Sequence, residues 1–97
     1  AGISCKDGDM FARSVINDSG YGKYFTHSTG HGVGVEIHEE PTVSSRSDYA
    51  LREGNIITVE PGIYLKGKYG VRIEDMVYLA ADGKRNLTCY PKELQIL

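Results

Sequence analysis

A chain of 97 residues is at most one small domain, able to bury about 60–65% of the surface its unfolded form exposes. Its 40% apolar and 25% charged content is that of an ordinary soluble globular protein, and a net charge of −2 without a basic cluster offers no footprint for nucleic acid or an anionic membrane. No apolar run approaches the ~20 residues of a membrane-spanning helix, and no signal-type segment opens the chain.

In chain order, Ser4 followed three residues later by Asp7 is a capping signal, and a helix is expected over about residues 5–18. Met10, Phe11, Ser14 and Val15 mark an apolar stripe on it that should lie on a following sheet, and Gly20 and Gly22 should stop it. All three histidines, His27, His31 and His38, then fall within the sixteen residues Thr26 to Pro41, threaded by glycines. The spacing of His27 and His31 would suit one face of a helix, but Gly30 and Gly32 argue instead for a tight loop entering a strand. Glycines beside a histidine let backbones approach closely so that the imidazole can point into a site. The run GHGVG lacks the spacing of a phosphate loop. Strands are expected over 34–39, 55–64 and 69–80, rich in Val, Ile, Thr and Tyr. Residues 41–55 read as a polar loop with at most one short turn of helix. Gly67 marks a hairpin loop, and Asp82-Gly83 a second one, with a return strand in KRNLTCY. Cys5 and Cys89, far apart and in no metal-type spacing, read as free thiols of a reducing cytoplasm, a staple between them being the alternative.

Strand alternation puts Glu60 beside Thr58 on one face and groups Arg72, Glu74 and Met76 on another. Each glutamate interrupts an apolar strand, and a buried lone carboxylate costs several kcal/mol unless it is paired or binds a metal. From spacing alone Glu60 reads first as the partner of Arg72 in an ion pair between adjacent strands, and His31 taken alone reads as a satisfied loop histidine. Together, His31, Glu60 and Glu74 form a reasonable nitrogen and oxygen ligand set for a divalent ion.

The stretches HSTGHGVGVEIHEEP, ITVEPGIY and YGVRIEDMVYLAADGKRNLT resemble, in order, the signatures of the pita-bread metallopeptidases, the Xaa-Pro aminopeptidases and Xaa-Pro dipeptidases above all. The resemblance implies an α+β fold corresponding to the second half of a pita-bread fold, an antiparallel-rich sheet with one main N-terminal helix packed on it. It implies that residues 1–97 are the C-terminal portion of a catalytic domain holding two divalent ions, Mn²⁺ foremost, with Co²⁺ or Fe²⁺ as alternatives. His31 and Glu60 would bind one ion, Glu60 also moving a proton, and Glu74 would bridge both. His38 would steady the tetrahedral intermediate, and His27, Tyr64 and Arg72 would form the substrate pocket. The reaction implied is hydrolysis of an Xaa-Pro bond in proline-containing peptides by a metal-bridging hydroxide, in a cytoplasmic, homodimeric parent.

Two features depart from the family pattern. The family's site has five ligands, two of them aspartates ahead of this region; Asp7, Asp9 and Asp18 sit on or beside the first helix and in no such motif. The chain is therefore expected to be a fragment whose partner is the missing N-terminal half, with little or no peptidase activity alone. Thr42 follows HEEP where many prolidases carry Arg, which leaves aminopeptidase and dipeptidase both open. The rival expectations are a non-catalytic pita-bread binding module, an inactive fragment that only associates with its other half, and creatine-type C–N hydrolysis on the same fold.

Overall fold

The computed structural model describes residues 2–94 and 96. Helix α1 spans Cys5–Asp18, as its signals predict. Ser4 caps it, accepting from the Asp7 amide at 3.1 Å. The Cys5 and Lys6 amides, which no helical carbonyl can reach, donate instead to the Tyr49 and Ser47 carbonyls of a segment wrapped around the helix start. At the other end Gly20 takes φ 89°, with Gly20 N–H on the Asn17 carbonyl and Tyr21 N–H on the Ile16 carbonyl. This is a Schellman ending that needs a residue at ease in the left-handed region.

The helix presents a different face from the one its stripe suggests. Met10, Phe11 and Val15 are 52%, 64% and 68% exposed, while Cys5 and Asp9 are fully buried. The packed face runs through Cys5, Gly8, Asp9 and Ala12, and Gly8 comes so near β2 that a Cβ there would stand 3.5 Å from Val43 Cγ1. Apolarity alone misidentified the face because its centre is a carboxylate whose charge is compensated on the same helix.

Seven strands follow among the described residues: β1 (Gly30–Gly32), β2 (Glu39–Val43), β3 (Ile56–Val59), β4 (Gly62–Leu65), β5 (Tyr69–Arg72), β6 (Asp75–Ala80) and β7 (Gly83–Asn86). Five of them form one antiparallel sheet in the order β2-β1-β3-β6-β7, and β4 with β5 makes a separate two-stranded ribbon. The expected strand over 34–39 is absent. Residues 33–38 form a bend that leaves Val35 and Ile37 exposed, and the pairing occurs on either side of it, between β1 and β2. The supposed loop 41–55 accordingly begins as strand: Val43 lies in the core at 2% exposure. It contains no helical turn. The expected strands over 55–64 and 69–80 are each split, one at Glu60-Pro61, where proline has no N–H for a ladder, and one at Ile73-Glu74. The hairpins stand where expected: Gly67, at φ 77°, turns β4 into β5, and Gly83, at φ 140°, opens β7. The return strand ends at Asn86, short of Tyr90.

The core is small, with Cys5, Val43, Leu51, Ile57, Val77 and Leu79 in mutual contact and Val59 against them. Burial lifts the Cys5 thiol above its ordinary range, against a lowering hydrogen bond with Ser47, and the Glu40 charge adds to the rise. Both cysteines are free, Cys5 buried and Cys89 exposed. Among the described residues no helix is long and apolar enough to cross a membrane.

Candidate metal and substrate site

The glycine-flanked histidine works as its sequence suggests. A Cβ on Gly30 would stand 1.8 Å from the Thr58 carbonyl oxygen, and one on Gly32 would stand 2.2 Å from that of Glu40. Only bare backbone lets β1 fit between β2 and β3. The Glu60 amide donates to the Thr29 carbonyl at 2.7 Å, and the His31 amide to Thr58 Oγ1 at 3.1 Å. His31 and Glu60 thereby become neighbours, with Nε2 3.4 Å from Oε2 and both side chains less than one-fifth exposed. The Glu60–Arg72 ion pair expected as one possibility does not form, because Arg72 has left with the ribbon and stands opposite Gly62.

His31 Nδ1 lies 2.9 Å from the Gly32 carbonyl, which can only accept, so Nδ1 carries the hydrogen in the neutral ring. Nε2 then faces a carboxylate, an arrangement that either a proton or a cation between them satisfies. Two donors bonded at about 2.1 Å to one ion stand roughly 3.0–3.4 Å apart, so the pair fits as two ligands of a divalent metal. The His38 ring centroid lies 4.4 Å from that of His31. Both line an open depression of about 700 Å³ with Glu36, Glu39, Glu40 and Thr42.

A second pair lies nearby in sequence. His27 Nδ1 is 2.7 Å from the Ser28 carbonyl, and His27 Nε2 is 2.7 Å from the Tyr64 hydroxyl, which therefore donates to it. Behind them stands an ion pair that sequence reasoning passed over, although Asp9 and Arg13 have the i, i+4 spacing of a helical salt bridge. Arg13 Nε meets Asp9 Oδ2 at 3.0 Å and Nη2 meets Oδ1 at 3.2 Å. Burial alone would push the Asp9 carboxyl up. Hydrogen bonds from Arg13 and Thr29, with the Arg13 charge, outweigh it and hold the group below its ordinary range.

Glu74 and Arg72 are exposed and border a different depression, with Asp75, Thr88 and Lys92. Lys92 reaches Asp75 across it at 3.0 Å. Among the described residues no three His, Cys, Asp or Glu side chains gather to hold a metal. The chain as folded thus brings together two of the three expected ligands, and both members of the His27–Tyr64 pair.

Comparison with known proteins gives this geometry a context. The profile of metallopeptidase family M24 matches residues 1–81. The chain belongs to metallopeptidase family M24. This M24 chain is 50% identical over 93 residues to an Xaa-Pro dipeptidase of Pyrococcus horikoshii, covering 96% of this chain and 26% of that one. It superposes on the Xaa-Pro dipeptidase from Bacillus anthracis with a TM-score of 0.97 and 50% identity, over 100% of this chain and 27% of that one. A more distant structure is the X-prolyl aminopeptidase from Caenorhabditis elegans, described as a cytosolic enzyme with a di-nuclear active site. It matches with a TM-score of 0.73 at 31% identity, over 90% of this chain and 16% of that one. The α+β fold is that of one part of the pita-bread peptidases. The M24 chain spans about a quarter of the length of the first two relatives.

Proposed function

We propose that this chain is the C-terminal portion of the catalytic domain of an M24 exopeptidase that cleaves Xaa-Pro bonds at a dinuclear centre of Mn²⁺ in the cytoplasm. The observation that carries this reading is the His31–Glu60 pair, with an imidazole lone pair and a carboxylate 3.4 Å apart in a chain half identical to Xaa-Pro dipeptidases. His31 and Glu60 would hold one ion, and Glu74 would complete the chain's contribution. The ions would supply Lewis acidity and an activated water at neutral pH.

The chain's own residues divide the remaining work. Glu60, anchored through its amide to Thr29, would take the proton of the attacking water and pass it to the departing proline nitrogen. That nitrogen belongs to a tertiary amide and leaves well only when protonated. His38, exposed beside His31, can donate to the oxygen that becomes negative as the carbonyl turns tetrahedral. His27 and Tyr64, locked together, would wall the pocket, and Arg72, exposed in the depression beside Glu74, would offer charge to a peptide carboxylate.

The reading is tested by grafting this chain in place of the matching segment of the Bacillus anthracis dipeptidase and assaying an Xaa-Pro dipeptide with Mn²⁺. The graft should be active, and His31→Ala within it should lower kcat/KM by about 100-fold or more. A folded graft whose activity is indifferent to both His31→Ala and Glu60→Gln would end the proposal.

A further inference from the structure

The Asp9–Arg13 pair holds the chain from Phe25 to Thr29 at four polar points. Arg13 Nη1 donates to the Phe25 carbonyl at 2.9 Å and Nη2 to the His27 carbonyl at 2.9 Å. Asp9 Oδ1 accepts from the Thr29 amide at 3.1 Å and from the Thr29 hydroxyl at 2.8 Å. The guanidinium also lies 4.1 Å over the Phe25 ring, which meets His27 edge-on with centroids 5.2 Å apart. Asp9 is fully buried, and nothing in the reaction proposed above uses it.

The pair brackets His27 and Ser28, and the peptide between Ser28 and Thr29 connects the two sides. A trans peptide is planar, with its carbonyl and its N–H pointing in opposite directions. The Thr29 N–H is shared between Asp9 Oδ1 at 3.1 Å and the Val43 carbonyl at 3.0 Å, and with its N–H held on that side the plane turns the Ser28 carbonyl the other way, where it meets His27 Nδ1 at 2.7 Å. That carbonyl can only accept, so it keeps the hydrogen on Nδ1 and leaves Nε2 as the acceptor that faces Tyr64 at 2.7 Å. The same stretch continues into the Thr29 carbonyl, which takes the Glu60 amide.

We propose that Asp9 and Arg13 are positioning residues, which set the tautomer and aim of the His27 imidazole through the Ser28–Thr29 peptide plane. This rests on the metallopeptidase reading only for what His27 and Tyr64 would face; the tautomer itself is a property of the free chain. It makes the helix part of the substrate pocket from a distance. It also accounts for a buried carboxylate, held by a partly exposed arginine, where an apolar side chain would serve a core of this size as well.

The test is long-range ¹H–¹⁵N correlation spectroscopy of the imidazoles of the 97-residue chain at about pH 8, where an ordinary histidine is neutral. The wild type should show His27 as a single Nδ1–H tautomer. Asp9→Ala, which removes the acceptor altogether, and Arg13→Gln should lose that signature to a mixture with Nε2–H, while the His31 and His38 signals stay in place. Arg13→Lys should recover it in part, since one donor can still reach a carbonyl. A folded Asp9→Ala chain with His27 still wholly in the Nδ1–H form overturns the proposal. Should the Asp9 and Arg13 variants not fold, Tyr64→Phe decides. The peptide plane, if it governs, keeps Nδ1–H after the hydroxyl is gone, and a switch to Nε2–H refutes it. Neither result depends on metal or peptidase activity, so failure here is distinct from failure of the functional proposal.

Discussion

Gly30→Ala is the perturbation that connects fold and site most directly. The new Cβ would stand 1.8 Å from the Thr58 carbonyl oxygen and 2.6 Å from its carbon, both backbone atoms that cannot swing away. To reach a tolerable contact, β1 and β3 must part by about 1.2 Å. Two hydrogen bonds straddle that point, Glu60 N–H to the Thr29 carbonyl at 2.7 Å and His31 N–H to Thr58 Oγ1 at 3.1 Å, and neither survives the displacement. Each is worth about 0.5–1.5 kcal/mol net, and the buried Thr58 hydroxyl left without its donor adds further cost, for a total of about 2–4 kcal/mol. A domain of this length holds roughly 5–10 kcal/mol in all, so the loss is a large share. With a urea m-value of about 1 kcal/mol/M, the midpoint followed by circular dichroism should fall by about 2–4 M. A midpoint within about 0.5 M of wild type would mean that β1 and β3 do not depend on this close approach, and the account of why glycine flanks His31 would be wrong.

Gly8→Ala should do the reverse, because its Cβ would meet Val43 Cγ1 at an ordinary 3.5 Å within a helix; a gain of about 0.5–1 kcal/mol in the same urea titration is expected. Asp9 has its carboxyl pKa depressed by folding, so its contribution is complete above the ordinary value near 3.8 and is lost as pH falls through the folded value. Acid unfolding of the wild type should therefore show a steep loss below about pH 3.8 that is flatter in Asp9→Asn, measured as stability against pH. Cys89 should react with a thiol reagent at once, and Cys5, buried and with its thiol pushed up, only at the rate of unfolding, so an absorbance trace should show one fast and one slow equivalent.

The parts legible in the sequence are those set by local rules. Helix α1 was bounded by Ser4 and Gly20, and both hairpins by glycines that adopt positive φ. What escaped depends on partners remote in the chain. The alternating Val33, Val35 and Ile37 mimic a strand, yet the pairing belongs to Gly30–Gly32, whose lack of side chains is what admits neighbours on both sides. The buried face of α1 was missed because Asp9 is tolerable inside only with Arg13 and Thr29 already around it. Arg72 could not be assigned because nothing in the alternation says that β4 and β5 leave the main sheet. For the site, spacing and burial arguments reached His31 and Glu60. The roles of His27, His38 and Tyr64 came from family resemblance.

The β4–β5 ribbon gives the site a mechanical character. Its first strand begins two residues after Glu60 and its second ends two residues before Glu74, with a single 3.4 Å hydrogen bond from Ile73 N–H to the Pro61 carbonyl across its base. The two acids therefore sit at the twin pivots of one lever, whose far end is the exposed Gly67 turn and whose inner strand carries Tyr64. A displacement of that ribbon would reach both carboxylates and the His27–Tyr64 contact together, since all three are joined through it.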